Sequence, residues 1–262
     1  MQDIYEEMIT ACRNIAASFP PPRFYTDGER WLALSRSAFD QNQQVKRCRE
    51  LVLHELRDNL GHGMGHAEKV AVEAGALTYM EGERLSLGKG IKHEAGILAQ
   101  MAGLLHDLRR GEKEHAQASA SAARKILAEF PSISFEKGKY IVEAIANHEA
   151  FVEPKEIDSP IGQMISDVLY DADKFRWGPD NFTLTLWQML RFTQAPMVRF
   201  IRRFPRGMRG VARIKDTFRS QAGKTYGPEF IDLGLQIGEK IYQFLQERFA
   251  AELSQEETEK NR

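Results

Sequence analysis

The sequence has little sulfur to cross-link, with two cysteines in 262 residues. Cys12 and Cys48 cannot make a disulfide scaffold and fit plain thiols in a reducing compartment. No stretch approaches the roughly 18 uninterrupted apolar residues of a membrane-spanning helix. Residues 1–17 carry Asp3, Glu6 and Glu7 and no continuous apolar region, so they do not read as a signal peptide, and the cytoplasm is the expected location. Neither sign of charge dominates: 36 Lys and Arg stand against 37 Asp and Glu, a net charge of −1. A global pull toward nucleic acid or an anionic membrane is therefore excluded, and no partner of either kind is expected. Internal repeats and low-complexity segments are also lacking, apart from a polar tail over 254–262 that is expected to fray.

What is present is apolar residues, 42% of the chain, enough to fill a sizeable core, and they recur at helical spacing. Ile4, Met8, Ala11 and Ile15 predict a lead-in helix over 1–18, stopped by Pro20, Pro21 and Pro22. One or two helices follow over 27–60, with Val45, Cys48, Leu51, Val52 and Leu56 on one stripe and His54 as an ordinary helical histidine. A glycine-rich turn over 61–66 then opens a helix to about residue 80. In it Val70, Ala74 and Leu77 share the face of His66, whereas His62 sits in the turn as a possible outer group. Residues 81–92 read as a charged loop, and His93 opens a helix whose stripe, Ile97, Met101, Leu104 and Leu105, runs straight into His106-Asp107. After a polar loop, His115 shares a face with Ala118, Ala122 and Ile126. Over 136–149, Ile141, Ala144, Ile145 and His148 form another stripe. Ile161, Ile165 and Leu169 advance by four toward Asp173, which is assigned the inward carboxylate, with Asp171 as the alternative. A last amphipathic helix is expected over 230–253. The expected architecture is all-α, in three regions: an N-terminal helical extension (1–58), a metal-binding core (59–182) and a C-terminal helical region packed on it (183–262).

His66, His106, Asp107, His115, His148 and Asp173 thus come from five helices, each near a helix end and aligned with an apolar face. Imidazole nitrogens and carboxylate oxygens are the ligands that borderline divalent cations accept, so this cup fits one transition metal, or two if Asp107 bridges. At this point the chain resembles the HD superfamily of metal-dependent phosphohydrolases, over about residues 60–180. The pattern of a histidine, a His-Asp pair and a later aspartate corresponds here to His66, His106-Asp107 and Asp173. Leu104-Leu105-His106-Asp107 and Asp171-Ala172-Asp173-Lys174 are its most specific stretches. His115 and His148 match the extra histidines that two-metal members use for a second ion. Asn147 and the absence of Gly-Tyr-Pro after His148 depart from the cyclic-dinucleotide phosphodiesterase branch.

The resemblance implies an HD-type helical core and hydrolysis of a phosphate ester, in a nucleotide-like or other small phosphorylated substrate. It also implies one or two divalent ions, of Mn, Fe, Co, Ni or Zn. Asp107 would bind metal while Arg110 or Lys174 orients phosphate, Arg109 being a further candidate and Glu112 or Glu149 a proton relay. Other superfamily members imply a di-iron oxygenase, and a non-catalytic nucleotide-sensing module is the third reading. Between 198 and 224, Arg199, Arg202, Arg203, Arg206, Arg209, Arg213, Lys215, Arg219 and Lys224 face one acid, Asp216. That run is either a solvated helix face or a wall that attracts a phosphorylated ligand. An oligomer is compatible with all of this.

Overall fold

Apolar residues spaced by three and four bury one stripe of a helix, and the whole chain is built that way. The computed structural model describes residues 4–55 and 63–260, so His62 lies outside the described residues. Among the described residues there are thirteen α-helices and no strand. They are α1 (Ile4–Ala16), α2 (Phe24–Asp27), α3 (Glu29–Gln41), α4 (Gln43–Glu55), α5 (Met64–Arg84), α6 (Lys89–Leu105) and α7 (His115–Leu127). There follow α8 (Phe135–Ala146), α9 (Pro160–Phe175), α10 (Leu186–Thr193), α11 (Met197–Ala212), α12 (Gln221–Arg248) and α13 (Ala250–Lys260). A π-helical turn, Asn181–Thr185, leads into α10, and a 3₁₀ turn, Arg213–Asp216, follows α11. No described helix is long and apolar enough to cross a membrane.

Three boundaries differ from expectation. The loop expected over 81–92 shrinks to a few residues, because α5 continues to Arg84 and α6 begins at Lys89. Glu81, read as a loop charge, is buried inside α5. The last long helix begins at Gln221 and carries Pro228 in its interior, and the tail expected to fray is helical to Lys260.

The central pair is α5 and α6, and its geometry is set by a missing side chain. A Cβ on Gly103 would lie 2.6 Å from Ala71 Cα and 2.7 Å from Ala71 N, so only glycine lets the two backbones come this close. α9 crosses both helices, α8 lies against α9 and α6, and α7 against α8. One hydrophobic cluster runs from Met8 through the α5–α6–α9 centre to Phe249, so the three expected regions share a core. Phe24 of α2 meets Phe175 and Phe230, which stack with centroids 4.1 Å apart. Cys12 and Cys48 are both buried, and desolvation pushes both thiols up to about 12, so they stay protonated and unreactive.

α12 is tied to the centre by its N-terminus. Asp171 accepts the backbone N–H groups of Arg219 and Ser220, each at 2.8 Å, and Glu81 accepts that of Ala222 at 2.7 Å. Carboxylates there satisfy donors that a helix start leaves open and complement its dipole. Gly223 is required for the approach, since a Cβ would meet Asp171 Oδ2 at 2.0 Å.

Substituting Gly103→Ala should lower the melting temperature by roughly 4–10 °C, as overpacking of about 1–3 kcal/mol would in a chain of this size. Gly138→Ala in α8, where a Cβ would meet nothing within 4 Å, should leave it unchanged or raise it slightly. Equal behaviour of the two variants in thermal unfolding would contradict the close-crossing account.

Candidate metal centre

The six side chains picked out by sequence spacing converge on one point. His66 lies in the first turn of α5, His106 and Asp107 directly follow α6, and His115 opens α7. His148 stands two residues past α8, and Asp173 occupies the last turn of α9. Each arrives at the end of a helix whose stripe is buried, so the core fixes the backbone and the helix ends present the polar atoms.

The atoms fall into two groups, His66, His106 and Asp173, and Asp107, His115 and His148, in each of which the ligand atoms lie within 4.8 Å of one another. Asp107 reaches both groups. Its Oδ2 is 3.3 Å from His106 Nε2 and 3.7 Å from His66 Nε2, and its Oδ1 is 3.5 Å from His148 Nε2. Asp173 Oδ1 completes the first group at 3.4 Å from His66 Nε2 and 3.6 Å from His106 Nε2.

Ring orientation decides which nitrogens are available. His106 Nδ1 lies 2.7 Å from Gly103 O, and His148 Nδ1 lies 2.6 Å from Ile145 O. A nitrogen facing a carbonyl carries a proton, so each ring, in its neutral form, turns an Nε2 lone pair inward, the usual orientation of a metal-bound histidine. His66 Nε2 and His106 Nε2 are 3.2 Å apart, and two lone pairs at that distance repel unless a proton or a cation lies between them. His148 Nε2 is buried and makes no hydrogen bond to the protein. The donor set therefore fits divalent cations, and these buried groups could hold a metal ion.

Electrostatics carry the same message. Burial pushes the His106 imidazole down, but Asp107 and Asp173 outweigh it and raise it to about 10. Burial alone would raise Asp173, yet Lys174, His106 and His66 hold it well below the usual carboxylate range. Burial, the Arg110 guanidinium and His148 push His115 down to about 4, so it is neutral and able to donate its lone pair at ordinary pH.

The supporting residues sort differently from expectation. Lys174, expected to orient phosphate, is buried behind Asp173, bonds its Oδ2 and lies over the Tyr170 ring, so it holds a carboxylate in place. Arg109 turns outward to Glu55 and Glu112, which leaves Arg110 beside the site, with Nη1 2.6 Å from His115 Nε2. Glu112 is exposed and pairs with Arg109. Asp171 faces α12 on the opposite side of α9 from Asp173, where burial raises its carboxyl to about 7 despite the two N–H donors. His54 is exposed, and His93 lies 3.1 Å from the Tyr79 hydroxyl, away from the cluster.

Sequence spacing missed a second polar network beside the site. Arg176 bonds Glu73 and Asp180, Tyr25 donates to Glu73 at 2.8 Å, and Lys69 pairs with Asp180 at 2.7 Å. Glu73, an acid flanked by apolar residues within the buried run of α5, was the readable signal.

A cavity of about 930 Å³ opens at the cluster, where His66, Asp173, Arg110 and Arg176 line it. It continues between the π-helical turn, α10 and α11. The basic run divides here. Arg199, Arg203 and Arg206 line the cavity, whereas Arg213 lies over Phe151, Lys215 pairs with Asp232, and Arg219 lies over Tyr170 and donates to Asn147 O. Comparisons with protein-family models, with curated proteins and with solved structures find no match.

In the metal-free protein, protonated His106 contributes stability that is complete below about 6.5, its ordinary value, and lost as pH rises toward about 10. The melting temperature of chelator-treated protein should fall across that window, and a flat profile there would contradict the assigned charge on the cluster.

Proposed function

We propose that this chain is a metal-dependent phosphohydrolase of HD type, cleaving a phosphate ester with one divalent transition-metal ion in each donor group. The observation that carries the reading is Asp107, whose two oxygens face the two groups separately, as a carboxylate shared by paired ions would. When bound, divalent ions supply a nucleophile at neutral pH, by lowering the pKa of water from about 15.7 toward about 7, and neutralise phosphoryl oxygens.

The chain's own residues do the rest. Gly103 O and Ile145 O lock His106 and His148 with Nε2 inward, and Lys174 fixes Asp173, so the ligands need little reorganisation. Arg110 Nη1 lies 2.6 Å from His115 Nε2, beside the group of Asp107, His115 and His148 that would hold an ion. Arg110 also lines the cavity, where its planar guanidinium can pair with two phosphate oxygens. Arg110 is thus the residue expected to orient phosphate, and Lys174 a positioning residue for Asp173.

The test is release of inorganic phosphate from a panel of phosphomonoesters by manganese-loaded protein and by the His106→Ala, Asp107→Ala double variant. The double variant should lose turnover to background and retain a helical circular-dichroism spectrum. Unchanged turnover in it, or oxygen uptake without phosphate release in the unsubstituted protein, would contradict the reading.

A further inference from the structure

The cavity beside the cluster is not built like a nucleotide site. Beyond His66 and Asp173, the apolar part of its wall includes Phe182 of the π-helical turn, Leu186 and Leu190 of α10, and Phe200, Phe204 and Met208 of α11. Recognition of a base and ribose needs several polar groups converging on their edges. On this wall, Thr193 donates to Met189 O at 3.0 Å and Gln194 to Arg191 O at 2.5 Å, and the remaining amide and hydroxyl side chains, Asn181 and Thr185, both belong to the π-helical turn, so uncharged polar groups do not converge from several elements. The aromatic rings are engaged with one another: Phe204 stacks on Tyr242 at 5.4 Å, and Phe200 meets Phe204 edge-on at 5.4 Å.

Charge on the wall is mostly positive. Asp173 is the one carboxylate among the described lining residues, against Arg110, Arg176, Arg199, Arg203 and Arg206. The last three follow helical spacing along α11, are exposed, and have no acidic partner among the described residues. Such a row attracts an anion toward the mouth. At about 930 Å³, the space is near the upper end of small-molecule pockets, larger than a phosphate needs.

We propose, building on the phosphohydrolase reading, that the site takes a phosphate monoester of a long-chain alcohol. The phosphate sits at the His/Asp cluster and Arg110, and the alkyl chain lies along the apolar wall between α10 and α11. Chain length, rather than hydrogen bonding to the alcohol, then sets affinity.

The test is calorimetric titration of the full chain, with manganese and again with chelator, using ethyl, butyl, hexyl and octyl phosphate and adenosine monophosphate. Each added methylene should tighten binding about two- to fourfold, so octyl phosphate, six methylenes longer, should bind roughly 60- to 4,000-fold tighter than ethyl phosphate. It should also bind more tightly than adenosine monophosphate. Met189→Glu, which places a carboxylate on the half-exposed wall of α10, should weaken octyl phosphate at least tenfold. Affinity that does not change with chain length, or tighter binding of adenosine monophosphate, would overturn the proposal. The two readings fail separately. Chain-length-dependent binding without phosphate release would end the phosphohydrolase reading and leave the apolar site standing. Phosphate release with equal affinity for short and long esters would do the reverse.

Discussion

Two imidazole nitrogens, His66 Nε2 and His106 Nε2, face each other at 3.2 Å inside a buried cup that also holds Asp107 and Asp173. Neither lone pairs nor carboxylates tolerate such crowding in a low-dielectric interior without positive charge among them. A proton on His106 meets the need in the free chain, and a divalent cation meets it better, because it can accept several donors at once. The rest of the molecule follows from holding that crowded arrangement in place. The Gly103–Ala71 crossing sets the separation of α5 and α6, and hence of His66 and His106. Gly103 contributes twice, since its carbonyl also orients the His106 ring.

The C-terminal third completes the site from outside the cup. Asp171 and Glu81 draw the N-terminus of α12 onto α9 and α5, and α12 carries the surface on which α11 packs. The π-helical turn and α10 close the other side, leaving the long cavity that ends at Asp173. Two nearby positions on α9 therefore serve different purposes: Asp173 faces the cluster, and Asp171, two residues back, fastens the N-terminus of α12. A two-residue step on a helix turns a side chain to nearly the opposite face, which is why one pair of carboxylates can do both.

Much of the cup was legible because its residues extend apolar stripes. His66, His115, His148 and Asp173 each fall where the next core residue would fall, and a polar side chain in that place signals a buried polar site. The all-α class was readable for the same reason, whereas α2, α10 and α13 carried no stripe that set them apart in the sequence. The short loop between α5 and α6 was not readable, because Glu81 looks like surface charge until α12 is folded against it. Arg109 and Arg110 could not be told apart because local sequence does not say which cation turns inward, nor that Lys174 bonds the carboxylate next to it. The division of the basic run depends on where α11 lies relative to the cluster, and the pairing of Glu73 with Arg176 spans 103 positions, beyond any local pattern. The apolar wall was visible only as ordinary core residues until the fold left space beside them.

The most direct measurement is the metal content of full-length, untagged protein, loaded with manganese, freed of excess by gel filtration and analysed for metal per chain. Two ions per chain, falling to one when His115 and His148 are both replaced by alanine, is the result expected from two donor groups joined by Asp107. No bound metal, or uptake indifferent to those two histidines and to His106, would contradict it.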